Sequence, residues 1–261
     1  MAVTRRELIK TAVVTAVATA GALEPRVAAA DAYADQMAAK AAVDQREFLD
    51  QAQRLAALHA AQTPEGVAAL KQKYERPVFG AVRMWDLIQR LALCVDLADI
   101  ALGCANQLIH VQQMVEGMER DGIQDQDFYL AAMLHDVGKV ILLAGEAQEN
   151  VIGINAPIGT YDPGVGLDSV LFHWNCDEFI YSRLREHVPE HLAWLIRYHS
   201  IDIAQTKPYM NERDRWYFDH YLWPFRQYDG YTKSPWRVPP ARLLDKYRDL
   251  VDKTFPAPIS V

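Results

Sequence analysis

Residues 131–143, AAMLHDVGKVILL, place an ionisable pair inside a run whose other members belong in a core. His135 and Asp136 sit between Leu134 and Val137, and Val140, Ile141, Leu142 and Leu143 follow. Moving a carboxylate out of water is costly unless its charge is matched, so this pair demands compensation. A buried His–Asp ion pair that ties the core together is one way to supply it, and a metal ion is the other. Neighbouring residues on a helix point about 100° apart. An adjacent His and Asp therefore converge only on an ion lying between their two directions, and the carboxylate can bridge two such ions. With Gly138 and Lys139 completing the segment, a metal site is the expectation.

The surroundings read as helix. The chain has 261 residues, 51% hydrophobic and 23% charged, which is ordinary globular composition. Residues 31–75 are Ala-rich with Gln, Lys and Glu, which favours helix, and Thr63 and Pro64 supply a cap and a first turn. Helical patterns follow over 84–102, over 106–122 with Gly122 as the stop, and over 125–145 with Gly145 as the stop. Residues 146–166 lack helical period and hold Gly and Pro, so a loop is expected there, with a short strand at NVIGI, 150–154. Further helices are expected over 167–187 and 189–200, and residues 239–255 read as an amphipathic closing helix. No repeat or low-complexity linker interrupts the pattern. The expectation is one all-α domain over residues 31–261.

Function classes are narrowed by charge. A net charge of −7 argues against a broad nucleic-acid or anionic-membrane surface. No later segment is apolar for long enough to span a bilayer. Three cysteines, Cys94, Cys104 and Cys176, are too few for a disulfide scaffold, and the first two sit in apolar helical pattern as core residues. Residues 1–30 differ in kind. Arg5 and Arg6 precede Leu8, Ile9 and Lys10, a mild Ala/Val/Thr stretch follows, and Ala28–Ala30 suits a small-residue cleavage site. This is similar to a bacterial twin-arginine export signal, which would make the mature chain periplasmic. The alternative is an N-terminal extension of a cytoplasmic protein.

More ligand candidates lie elsewhere. His110 is mid-helix in NQLIHVQQ, His199 ends LAWLIRYHS, and Asp229 sits in RQYDGYTK. Together with His135 and Asp136 they follow the ligand order of the HD-domain metalloproteins, an all-α superfamily of helical bundles. The stretches QLIHVQQMVEG, LHDVGKVILLAGEAQENVIG, PIG, GLDSVLFHWNCDEFIY, LIRYHS and YDGYTK go further. From about residue 54 onward the chain resembles the myo-inositol oxygenase family. That resemblance implies a di-iron enzyme that cleaves a cyclitol ring with dioxygen, turning myo-inositol into D-glucuronate. It implies one iron held by His110, His135, Asp136 and Asp229, with Asp136 bridging to a second iron that His199 also ligates. It gives Lys139 and Asp136 catalytic roles and makes Lys139, Ser200, Lys233 and Asp96 substrate contacts. The implied partners are a small-molecule substrate and dioxygen.

The pattern departs from the family in several places. The second iron's remaining ligand is a histidine in a Trp-Gly-His-Asp-Glu segment, and here WNCDEF puts Cys176 there. A thiolate at Cys176 is the first reading. Ligation by His173, one helical turn earlier, is the second, and a weakened or empty site is the third. Asp177 reads as an acceptor behind the ligands. After VIG the family's Asp-Thr becomes Ile154-Asn155, and the loop between PIG and GLD is cut to TYDPGV, which together suggest an altered substrate pocket. Arg46 is the candidate for a substrate arginine near the N-terminus. His59, His187, His191 and His220 read as surface or capping residues. Two other function classes stay open, a phosphohydrolase of the HD superfamily and a non-catalytic domain that keeps the fold. Export is tested by replacing Arg5 and Arg6 together with lysine. Periplasmic yield of the double variant should collapse, and unchanged yield would remove the twin-arginine reading.

Overall fold

The computed structural model describes residues 45–97, 99, 106–234 and 237–261, without the side chains of residues 45–49. The signal-like segment, Cys104 and the Arg46 side chain lie outside the described residues. Helix α1 (Gln45–Ala60) and α2 (Pro64–Lys73) come first, and the Thr63 side chain caps α2 as its sequence demands. A short strand, β1 (Ala81–Val82), pairs antiparallel with β2 (Ile259–Ser260) and ties the segment after α2 to the C-terminal end of the chain. The central helices are α3 (Met84–Arg90), α4 (Gln107–Arg120) and α5 (Gln126–Leu134). Asn106 and Asp125 cap α4 and α5 through their side-chain oxygens. Next come α6 (Cys176–Leu184), α7 (Glu190–Tyr198), the short α8 (Ile203–Thr206), α9 (Glu212–Tyr217), α10 (Trp223–Tyr231) and α11 (Arg248–Thr254). Between α9 and α10, residues Phe218–Leu222 widen into a π-turn. The fold is all-α. One contiguous apolar cluster runs through it from Val67 to Val261. Among the described residues no helix is long and apolar enough to cross a membrane.

Five expectations need correction. The helix expected over 84–102 stops early: Arg90 leads into a 3-10 turn at Leu91–Leu93, and Cys94 is extended, while its side chain is buried as expected. The helix expected over 125–145 changes character at His135. Asp136 leaves helical geometry (φ −97°, ψ 2°), and Val137–Ala144 continues as tighter 3-10 turns until Gly145 (φ 83°) ends them. The helix expected over 167–187 begins only at Cys176. Ahead of it, residues 170–175 are extended because their backbone groups have other partners. Gln62 accepts from Trp174 N and donates to Trp174 O, and the His173 N–H donates to Ala156 O. Asn175 then caps α6 by accepting from Asp177 N. Finally, NVIGI forms no strand; a 3-10 turn at Gln148–Asn150 and an isolated bridge between Asn155 and Ile201 stand there instead. At the C-terminus, Leu243–Tyr247 is 3-10 and only Arg248–Thr254 is α-helical.

One close contact joins the two irregular segments. A Cβ added to Gly138 would lie 2.1 Å from the Cys176 carbonyl oxygen, which is backbone and cannot swing away. Glycine at 138 therefore lets the His-Asp turn dock directly on the first turn of α6. A second anchor is Glu146, whose carboxylate accepts from Lys73, Tyr74 and Asn150 and ties α2 to the turn after Gly145.

Gly138→Ala is expected to destabilise the chain by about 1–3 kcal/mol or more, as overpacking does, read as a lowered denaturation midpoint. Burial alone would raise the Glu146 pKa, but its donors, Asn150, Lys73, Tyr74 and the Ala147 N–H, win and hold it at about 2, below its ordinary value. Its stabilisation is therefore complete above the unfolded carboxylate pKa and is lost as pH falls toward about 2. Denaturant titrations should find Glu146→Gln less stable than the parent at pH 7, with the gap closing through that acid window.

Candidate metal centre and its polar surround

Helix ends deliver the polar residues. α4 carries Gln107 and His110 on one face, three residues apart. α5 ends at Leu134, and His135 and Asp136 follow. α6 begins with Cys176 and Asp177, and α7 ends just before His199 and Ser200. α10 carries Asp229, and Lys233 lies four residues beyond it. A two-pronged contact from Arg197 to Glu178, with bonds of 2.7 and 3.1 Å, holds α6 against α7 and so brings their polar ends together. Glu178 is thus a structural ion-pair partner.

Ligand atoms of His110, His135 and Asp136 all lie within 4.8 Å of one another, the one such trio of candidate metal ligands among the described residues. His110 Nε2 stands 3.2 Å from His135 Nε2, 3.1 Å from Asp229 Oδ1 and 3.6 Å from Asp136 Oδ2. His135 Nε2 is 3.2 Å from the same Asp136 oxygen. The other Asp136 oxygen, Oδ1, is 3.7 Å from His199 Nε2. Donors held about 2.1 Å from one ion and at right angles to each other lie about 3 Å apart. The spacing around His110 is of that size. Both His135 and His199 donate from Nδ1 to a backbone carbonyl three residues earlier, Ala132 and Ile196, at 2.9 Å each. That bond turns each Nε2 toward the carboxylates, the orientation a ligating imidazole needs. His110 Nδ1 is buried without a hydrogen-bond partner, so this ring is not held by an outer bond, and its Nε2 contacts are what fix it.

Charges beside the trio are arranged unequally. Burial opposes ionisation of Asp136, but His135 and Lys139 outweigh it and hold the carboxyl well below its ordinary range. Burial likewise opposes Asp229, and Lys233 and His110 keep it ionised. Burial keeps His110 neutral at physiological pH. His199 is the opposite case: burial would lower it, yet Asp177 and Asp136 raise it to about 9.

Lys139 Nζ lies 2.7 Å from Asp96, 3.1 Å from Asp136 and 3.5 Å from Asp99, and it donates to Gln107 Oε1 at 3.1 Å. Lys233 Nζ is 2.7 Å from Asp99 and 3.4 Å from Asp229. Asp99, which the sequence reading passed over in favour of Asp96, therefore links both lysines. Gln107 also donates to Asp99 at 2.9 Å. The i,i+3 steps from Asp96 to Asp99 and from Gln107 to His110 were the available signals. Burial disfavours both lysines as cations, but the carboxylates prevail and raise their pKa values. Five carboxylates (Asp96, Asp99, Asp136, Asp177 and Asp229) face two ammonium groups, and that negative excess suits cations.

On the far side of His199, Asp177 is fully buried. Its Oδ1 is 3.7 Å from His199 Nε2 and accepts from the Cys176 thiol at 3.2 Å, and its Oδ2 accepts from the Ser200 hydroxyl. Burial, then Asp177, pushes the Cys176 thiol well up. His173 is elsewhere. It precedes α6 in extended chain, so the one-turn spacing from Cys176 does not hold. Its ring packs edge-on against His59 at 5.2 Å, and its Nδ1 accepts from Ala156 N at 3.3 Å. His59, expected at the surface, is buried, with its ring over Gly153 and bonds to Glu149 O and Asn155 Oδ1. Ile154 is 62% exposed and so walls no enclosed pocket, whereas Asn155 is buried against His59 and Asn175.

The family model described as myo-inositol oxygenase matches residues 50–160 and 148–261. An inositol oxygenase of Danio rerio is 29% identical over 76% of this chain and 84% of its own length. A probable inositol oxygenase of Oryza sativa is 28% identical over 76% of this chain and 77% of its own length. An inositol oxygenase of Mus musculus is 26% identical over 78% and 84% respectively. With the family model spanning nearly all of the described residues and the His-His-Asp trio at their centre, this chain belongs to the myo-inositol oxygenase family and is an oxygenase-type enzyme.

Proposed function

We propose that the chain is an iron-dependent oxygenase that uses dioxygen to cleave a cyclitol or related polyol, with inositol to glucuronate as the reaction of its relatives. The observation that carries this reading is the close approach of His110, His135 and Asp136, flanked by Asp229 and His199, in a chain of this family. Imidazole nitrogens together with carboxylate oxygens suit iron or manganese better than a soft metal. His110, His135, Asp136 and Asp229 would hold one iron, and Asp136 would reach toward a second beside His199. Bound there, iron supplies Lewis acidity toward substrate hydroxyls and the redox capacity to use dioxygen.

The chain's own residues do the rest. Lys139 and Lys233 remain ammonium ions at neutral pH, so they donate hydrogen bonds to substrate oxygens and take no protons. Asp96 and Asp99 hold Lys139 in place, and Asp99 holds Lys233, which fixes where those donors point. Asp99 can also accept from substrate hydroxyls. The Ser200 hydroxyl, bound to Asp177, is positioned at the His199 end of the cluster. For inositol, one ring C–C bond breaks; the sugar acid gains one oxygen atom and the second leaves as water, a four-electron oxidation.

Oxygen uptake tests this directly. The reconstituted chain should hold about two irons and consume dioxygen with a cyclitol or polyol from a panel, releasing an acid. Chelation of the metal should abolish uptake. Lys139→Met should lower kcat/KM about 10- to 100-fold, the cost of a charged hydrogen bond. Phosphate release from phosphorylated substrates without oxygen consumption would overturn the proposal.

A further inference from the structure

A line of buried amides joins helix α1 to the edge of the metal centre. His59, near the end of α1, lays its ring over Gly153, where a Cβ would stand 2.5 Å from it. Its Nε2 lies 3.2 Å from Asn155 Oδ1. Asn155 Nδ2 donates to Asn175 Oδ1 at 2.8 Å, and Asn175 Nδ2 donates to Ser200 Oγ at 3.2 Å. Ser200 directly follows the candidate ligand His199. We propose that His59 is a positioning residue that acts through Asn155 and Asn175 to hold the Ser200 hydroxyl in the direction in which it meets substrate. The inference rests on the oxygenase reading for Ser200 being a substrate contact.

Backbone groups fix the direction of each bond in the line. Asn175 Oδ1 accepts from the Asp177 N–H at 2.9 Å, and Asn175 Nδ2 also donates to Gly153 O at 3.1 Å. These two anchors set which end of the Asn175 amide is oxygen. Asn155 must then present Nδ2 to Asn175 and Oδ1 to His59. Asn155 is buried, and among the described residues its Oδ1 meets no donor but the His59 ring. A buried acceptor left unmatched is costly, so the hydrogen on Nε2 is the one the line needs. The other ring nitrogen, Nδ1, faces the carbonyl of half-buried Glu149 at 3.0 Å. Without the Nε2 bond the Asn155 amide can turn, and a turned amide sets its oxygen against Asn175 Oδ1. Asn175 then gives way, and its contact with Ser200 goes with it. The Ser200 hydroxyl is otherwise held from two sides: its hydrogen goes to Asp177 Oδ2, and its oxygen accepts from Asn175. One lone pair stays open, and Ser200 is only half-buried, so a substrate can reach it. Held in this way, Ser200 accepts from a substrate hydroxyl and does not donate to it.

Two substitutions at His59 separate positioning from packing. His59→Gln removes the ring but keeps an amide nitrogen able to donate where Nε2 stood. His59→Asn also removes the ring and reaches only the Glu149 side. Steady-state oxygen uptake by the iron-loaded full chain, with a cyclitol or polyol that the parent turns over, gives KM and kcat for each. His59→Asn should raise KM about 5-fold, the cost of one neutral hydrogen bond, with kcat within about 2-fold of the parent. His59→Gln should recover most of the lost KM, although the denaturation midpoints of the two variants fall alike. An unchanged KM in His59→Asn, or a His59→Gln as impaired as His59→Asn, would overturn the inference. If His59→Asn does not fold, Asn155→Ser cuts the same line one residue further on and should raise KM to the same extent; an unchanged KM there would overturn the inference equally. Crystal structures of the parent and the folded variant give a readout without turnover: Asn175 and Ser200 should turn when the line is cut, and side chains left in their parental rotamers would overturn the inference. Absence of oxygen uptake by the parent would count against the proposed reaction and leave the crystallographic result standing.

Discussion

Asp136 is a carboxylate with 2% of its surface exposed, and the centre of the molecule is built to keep it charged. Two imidazoles, a third across from them and the Lys139 ammonium surround it: His135 and Lys139 from its own segment, His110 from α4 and His199 from the end of α7. Lys139 in turn is tolerable in the interior only because Asp96 and Asp99 share it, and Asp99 brings in Lys233, which reaches back to Asp229. The network closes on itself. Removing one member strands another in a low-dielectric setting, and a buried charge left without its partner is what costs most. The same closure explains why so many helix ends, and not helix middles, meet here: ends let the chain change direction and aim adjacent residues at one point.

Irregular backbone makes that convergence possible. Had residues 125–145 continued as one α-helix, the segment after Asp136 would have been carried along the α5 axis. The change to 3-10 geometry folds it against α6 instead, and Gly138 permits the approach because no Cβ stands between it and the Cys176 carbonyl. The extended run 170–175 does the complementary job. Gln62 satisfies the Trp174 backbone as a neighbouring strand would, so α6 starts at Cys176 and its first turn faces the His-Asp turn.

Much of this was legible in the sequence. The all-α class, the Thr63, Gly122 and Gly145 punctuation and the polar pair in LHDVGK all follow from capping chemistry and burial cost. His110, His135, Asp136, His199 and Asp229 were also legible, as a pattern, and they do meet in space. Helix boundaries at 90, 134 and 176 were not legible, because they depend on backbone partners distant in sequence: Gln62 for Trp174, Val151 for Cys176. Those boundaries decide the finer points of the site. They remove His173 from it by placing that residue in extended chain. They also put Asp177, legible only as an acceptor behind the ligands, 3.7 Å from His199 Nε2. Asp99 was missed for a similar reason, since its role depends on two lysines, at 139 and 233, that only the fold brings to it.

The central claim is that Asp136 belongs to a metal centre together with His110, His135 and Asp229. Anomalous diffraction from a crystal of the metal-loaded chain, measured at the absorption edge of the bound metal, tests it most directly. The account predicts an anomalous peak within ligand distance of His110, His135, Asp136 and Asp229. No peak there, or a metal bound elsewhere with His110 and His135 left unligated, would contradict it.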